Sequence, residues 1–137
     1  DLSRPFQSQE LFTFPLLPET GTIFSAFSWS PDSRKIAGTM WARNKEVPGI
    51  WLYEIASGKY EHISKEGAGP VWMPHNRRVI YVYRGKLYVT DSLAKAPREI
   101  SVTPTGLADN PTLSADGRYL YYSVDENEES IWLISLK

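Results

Sequence analysis

The stretch Phe27-Ser28-Trp29-Ser30-Pro31-Asp32 occurs three times in the chain in altered form. Trp72-Met73-Pro74-His75 is the second copy and Leu113-Ser114-Ala115-Asp116 the third. The turn positions Pro31, Pro74 and Ala115 lie 43 and 41 residues apart. Each copy is a short apolar run that ends in a tight turn and is followed by a second apolar run. A period in this range marks a repeat architecture, in which each unit buries its apolar surface only against its neighbours.

Working outward, residues 22–64 divide into four strand-length runs: Ile23–Trp29, Lys35–Trp41, Ile50–Ile55 and Tyr60–Ile63. Ser30-Pro31-Asp32-Ser33 reads as a type I turn, with Pro at the second position, where its fixed φ fits. Residues 65–105 repeat the order, with runs at Gly69–Met73, Val79–Tyr83, Lys86–Thr90 and Arg98–Ser101. Residues 106–137 supply three more, Asn110–Leu113, Arg118–Ser123 and Ile131–Ser135, with an acidic loop at Asp125–Glu129 and no fourth run. Residues 1–21 read as a tail with one extra strand at Leu11–Leu17, confined to an edge by Pro15. The runs are β-branched and aromatic, bounded by turn residues and too short for helices. Four strands per repeat of ~40–45 residues describe the blade of a β-propeller. The second and third runs are apolar on both parities, as a sheet packed on both faces requires.

The 137 residues are 42% hydrophobic and 13% aromatic, a composition that folds. A net charge of −1 gives no basic field for nucleic acid or acidic lipid. There is no cysteine, hence no disulfide or thiolate metal site. No apolar run reaches the ~18 residues of a membrane span. Asp1-Leu2-Ser3-Arg4 has no signal-peptide character, so the signal of an exported protein would lie outside this sequence.

Two segments carry a resemblance to a known family. Ser-Pro-Asp-Ser-Arg-Lys-Ile-Ala at Ser30–Ala37 with Gly-Ile-Trp-Leu-Tyr at Gly49–Tyr53 resembles the WD40-like PD40 repeat of TolB-type propellers. Ala115–Leu120 with Ser130–Leu133 is similar to it again, whereas His75 stands where the pattern has Asp. The resemblance covers residues 22–137. It implies an all-β fold, three four-stranded blades forming half of a six-bladed ring, and a bacterial protein, plausibly periplasmic. Related repeats serve as free-standing adaptors, as accessory propellers of prolyl-oligopeptidase or tricorn-like serine peptidases, and as sensor domains of regulators or kinases.

Closed propellers have about 4–8 blades, so three cannot close a ring. Either the chain is part of a longer propeller or two copies form a homodimer. In the second case the strand at Leu11–Leu17 would finish the partner's third blade.

Ser30 and Asp32 could suggest a serine site, but their recurrence marks them as turn residues. There is no Gly-x-Ser-x-Gly elbow, and His62 and His75 occupy non-equivalent repeat positions. Asp125, Asn127 and Glu129 alternate in the manner of oxygen ligands for Ca²⁺, but without the Gly and distal Glu of an EF-hand loop they read as a solvated hairpin tip. Trp41, Arg43, Asn44 and Lys45 form the long loop after the second run; they suit a protein-binding rim, or Trp41 simply packs at the strand end. Trp51, Tyr88 and Trp132 share one repeat position and read as packing between blades. Trp29 and Trp72 share another.

The expected function is non-enzymatic: binding of a protein or peptide at the loop face or the central channel. The loop-face candidates are Trp41, Arg43, Asn44, Lys45, Arg84, Asp125 and Glu126. Channel contacts are expected near Ala26, Gly69 and Asn110 on the innermost runs. No cofactor, metal, nucleic acid or membrane insertion is expected.

Overall fold

A computed structural model describes residues 3–9, 12–15, 22–42, 49–100, 106–126 and 128–136. Eleven strands follow in order among them: β1 (Thr22–Trp29), β2 (Lys35–Ala42), β3 (Ile50–Glu54), β4 (Lys59–Ser64), β5 (Ala68–Trp72), β6 (Arg78–Tyr83), β7 (Lys86–Asp91), β8 (Arg98–Glu99), β9 (Leu107–Leu113), β10 (Tyr119–Glu126) and β11 (Glu128–Ser135). They form three antiparallel sheets, β1-β2-β3-β4, β5-β6-β7-β8 and β9-β10-β11. These are the three expected blades, and every strand lies on an expected run.

The inter-strand register aligns the blades residue by residue. Ala37 faces Leu52, Ile80 faces Val89, and Tyr121 faces Leu133 across the second and third strands. One face of each sheet, here the trailing face, carries these pairs; the other is the leading face. The trailing face of blade one (Ala37, Ile50, Leu52, Ile63) packs on the leading face of blade two (Trp72, Val79, Tyr81). The trailing face of blade two (Ile80, Leu87, Val89) packs on the leading face of blade three (Ala108, Leu120, Tyr122, Val124). The core is therefore two inter-blade layers, and alternation along each strand sends successive side chains into different layers.

The recurring turn holds its shape with its own side chains. Ser30 Oγ donates to Asp32 Oδ1 at 2.7 Å, and the amides of Arg34 and Lys35 donate to Asp32 Oδ1 and Ser30 Oγ at 3.1 and 2.8 Å. Ser114 and Asp116 repeat the same bonds with Arg118 and Tyr119. The equivalent residues Ser33, Asn76 and Gly117 all have positive φ (58°, 56° and 67°), which closes the turn in each blade. In blade two, Met73 and His75 cannot supply the Ser–Asp bonds. A single 3-10 turn at Pro74–Asn76 stands there, and Asn76 Oδ1 accepts from the Asp32 amide at 2.9 Å, tying the first two turns together.

The structure differs from expectation in two places. Residues 12–15 of the expected strand at Leu11–Leu17 are not in a strand; Leu11, Leu16 and Leu17 lie outside the described residues. Instead the Phe14 ring packs edge-on against Phe24 and Tyr53, with centroids 5.1 and 5.3 Å away, and Tyr60 Oη donates to the Pro15 carbonyl at 2.8 Å. The segment lies on the leading face of blade one (Phe24, Ile36, Met40, Tyr53) of its own chain. Ring packing wins there because Pro15 has no amide for a ladder. The acidic stretch at Asp125–Glu129 is not a loop. Asp125 pairs with Glu129 and Glu126 with Glu128, so the hairpin runs to its tip. The β10–β11 ladder, in register over eight residue pairs, carries the two strands to the tip.

Candidate functional site

The innermost strands β1, β5 and β9 lie side by side, and each is interrupted at the same repeat position. Ala26-Phe27, Gly69-Pro70 and Asn110-Pro111 are β-bulges, opposite Gly38, Tyr81 and Tyr122 of the neighbouring strand. Gly69 and Asn110 adopt left-handed φ values of 61° and 49°, accessible to Gly and tolerable for Asn. Pro70 and Pro111 fit because a bulge needs no ladder donor at that point. Bulges re-aim side chains and interrupt pairing, and they concentrate beside binding sites.

Beside the bulges, a groove of about 420 Å³ opens between the inner strands. Phe27, Val71 and Pro111 give it apolar walls, and Asp109, Asn110 and Thr112 give it polar groups. Its frame is fixed by hydrogen bonds. Ser28 Oγ accepts from the Trp72 amide at 3.0 Å, joining blade one to blade two. Ser123 Oγ donates to the Asp109 carbonyl at 3.1 Å, and Asp109 Oδ1 accepts from the Asn110 amide at 2.8 Å. Size and mixed lining suit a short peptide segment or a side chain of a protein partner.

Of the expected channel residues, Gly69 and Asn110 line this groove; Ala26 stands at the equivalent bulge without lining it. The bulges themselves were missed in the sequence, although Gly69-Pro70 and Asn110-Pro111 carry a signal. A left-handed-tolerant residue followed by Pro recurs at one repeat position inside an apolar run.

The expected loop-face residues are spread over the three blades. Trp41 is the penultimate residue of β2 and is 48% exposed. Arg84 sits in the β6–β7 turn with φ 50°, its guanidinium 5.1 Å from the Tyr83 ring centre. Asp125 is exposed near the tip of the β10–β11 hairpin. Arg43, Asn44 and Lys45 lie outside the described residues, as does the side chain of Glu126. None of the described ones lines the groove.

The groups that could suggest catalysis are committed elsewhere. Ser30 is buried, and the hydrogen bonds from Ser30 and the Arg34 amide hold the Asp32 carboxyl below its ordinary value. The His62 ring packs 4.5 Å from the Trp51 ring centre, and burial pushes its imidazole down. His75 occupies the turn of blade two with φ 74°. Among the described residues, no group of three or more His, Asp or Glu is placed to hold a metal ion.

No family model matches the sequence, and no curated protein does. Solved structures do. A TolB structure from Agrobacterium tumefaciens aligns with a TM-score of 0.73 at 14% identity, covering 83% of this chain and 46% of that one. TolB from Acinetobacter baumannii aligns with a TM-score of 0.68 at 19% identity, over 84% of this chain and 30% of that one. The β-propeller domain of the Trilobed protease from Pyrococcus furiosus, described as having an open velcro topology, aligns with a TM-score of 0.51 at 16% identity, over 80% of this chain and 40% of that one. The chain thus spans less than half the length of each. At these identities the likeness speaks for the fold, and in fold the chain is a three-bladed section of a TolB-like β-propeller.

Proposed function

We propose that the chain is a non-enzymatic interaction module that binds a protein or peptide in the groove between its inner strands. The observation that carries this reading is the bulge repeated in β1, β5 and β9, beside which the groove of about 420 Å³ opens. Three equivalent breaks in otherwise regular ladders leave backbone free to meet a ligand at one place. The likeness to TolB structures supports an adaptor more than an enzyme. The loop-face residues Trp41, Arg84 and Asp125 form a second, wider rim of the same proposal. A second reading, an accessory propeller of a serine peptidase, draws support from the aligned propeller domain of the Trilobed protease.

Selection from a random peptide display library tests the groove. Peptides enriched on the native chain should bind at least tenfold more weakly to Thr112→Trp, which fills the groove from an exposed position. Failure to enrich any sequence, or equal binding to the variant, overturns the proposal.

A further inference from the structure

A second cavity, of about 470 Å³, opens between blades one and two toward their outer strands. One wall is the end of β4 and the connection after it, from His62 to Glu66. The other is Tyr81, Tyr83 and Tyr88 on β6 and β7, with Lys95 and Pro97 from the connection before β8. Both walls belong to four-stranded blades. The layer between these blades is filled at Trp72 and Val79 and opens at the buried Tyr81. The cavity shares no lining residue with the groove between the inner strands.

Two features set its chemistry. The first is an array of rings. Tyr81 and Tyr88 stack with planes 18° apart and centroids 5.9 Å apart, and Tyr83 meets Tyr88 edge-on at 6.0 Å. Tyr81 Oη is tied to Ser64 Oγ at 3.1 Å, and Tyr88 Oη donates to the Glu99 carboxylate at 3.3 Å. The half-buried rings of Tyr83 and Tyr88 thus offer apolar surface to a further ring, which aromatic side chains accept edge-on or offset. The second feature is an excess of positive charge. Lys95 shares the Glu61 carboxylate with Lys35, at 3.1 and 3.6 Å. Among the described residues Lys65 forms no ion pair. Glu66 lies beside the Tyr83 hydroxyl. Burial holds the His62 imidazole below its ordinary value, so it adds no charge at neutral pH. Three lysines therefore face two glutamates, and Arg84, 5.1 Å from the Tyr83 ring centre, adds to the same sign.

We infer that this cavity binds a small aromatic carboxylate, its ring packed on Tyr83 and Tyr88 and its acid group turned to Lys65 and Lys95. The volume suits one such molecule, within the range of about 300–1,000 Å³ of small-ligand sites. An amine on the same ring would meet the like charge of the lysines, which disfavours it. An uncharged ring gains the packing alone. The site is independent of whether the inner groove binds a peptide.

Isothermal titration calorimetry of the whole chain separates ring from charge with three indoles: indole-3-acetate, indole-3-acetamide and tryptamine. Indole-3-acetate should bind at least tenfold more tightly than the amide, and tryptamine more weakly than either. Phenylacetate and phenylacetamide should repeat the difference with a smaller ring. Lys65→Gln/Lys95→Gln replaces two exposed side chains. It should bring the acetate to within about twofold of the amide while leaving amide binding unchanged. Should that variant lose its cooperative melt, the native chain decides: about 0.5 M salt should weaken the acetate at least threefold and leave the amide unchanged. An acetate that is insensitive to salt overturns the inference. So does the absence of saturable binding by either acid, equal binding of acid and amide, tightest binding of tryptamine, or acetate binding that survives the loss of both lysines.

Discussion

Gly38 and Phe24 share one space on the leading face of blade one: a Cβ at residue 38 would fall onto the Phe24 ring and the Ser25 carbonyl. The other blades solve the same volume in reverse. In blade two the equivalent pair is Tyr81 on the second strand and Gly67 before the first, and a Cβ on Gly67 would meet the Tyr81 ring. In blade three it is Tyr122 and Ala108, both buried. One large and one small residue per blade fill each layer, so the exchange between strands conserves volume.

Gly38→Ala should therefore destabilise the chain by about 1–3 kcal/mol, as overpacking of a filled core does. The cost should shrink when Phe24 is already Ala, with a coupling of about 1 kcal/mol in the double-mutant cycle. Urea unfolding of the four proteins measures it. Equal costs of Gly38→Ala in both backgrounds would refute the shared-space account.

Tyr81 Oη and Ser64 Oγ lie 3.1 Å apart in the layer between blades one and two. Tyr81→Phe should cost about 1 kcal/mol, because Ser64 keeps its bond to the Glu66 carbonyl at 2.8 Å. Tyr81→Ala should cost about 3–5 kcal/mol, by emptying the layer. If chemical denaturation gives the two variants the same midpoint, the ring is not what fills it.

Ser28→Ala removes the acceptor of the Trp72 amide, whose present bond is 3.0 Å. The partly buried N–H left behind should cost about 1–2 kcal/mol. Faster hydrogen exchange at Trp72, with little change elsewhere on β5, is the local signature to look for. An unchanged rate would mean that water already serves that amide.

Asp91 should make stability acid-sensitive. Hydrogen bonds from the Ala94 and Leu93 amides, with the Arg77 guanidinium beside it, hold its carboxyl down at about 2. A depressed carboxylate contributes stability that is fully present above the unfolded-state value near 4 and is lost as pH falls through the folded value. Asp32 and Asp116 act in the same direction through their serine partners. The melting temperature of the native chain should fall between about pH 4 and pH 2, and Asp91→Asn should flatten that slope. Parallel profiles for the two proteins would remove Asp91 from the account.

The blade count, the order of strands and the hairpin turns were all legible in the chain, because they rest on local periodicity and on turn residues such as Ser30, Pro31 and Asp32. Equivalence by repeat was a weaker guide to environment. Trp29 and Trp72 share a position, yet Trp29 is mostly exposed while Trp72 is buried against blade one. What differs is the neighbour: among the described residues Trp72 packs against blade one, whereas the leading face of blade one meets the segment at Phe12–Pro15.

By itself, the sequence determined the local conformations: which runs extend, where they turn and which parity is apolar. These depend on backbone sterics and side-chain type over a few residues. Only the tertiary structure decided which faces are covered. Phe14 lies on Phe24 instead of joining a ladder, the bulges at Gly69 and Asn110 open one groove, and Ile131 and Leu133 stay exposed where Ile50 and Leu52 are buried. Burial is a property of what lies opposite. Equivalent residues in a repeat have the same strand geometry, but among the described residues only the middle blade is packed by another blade on both faces.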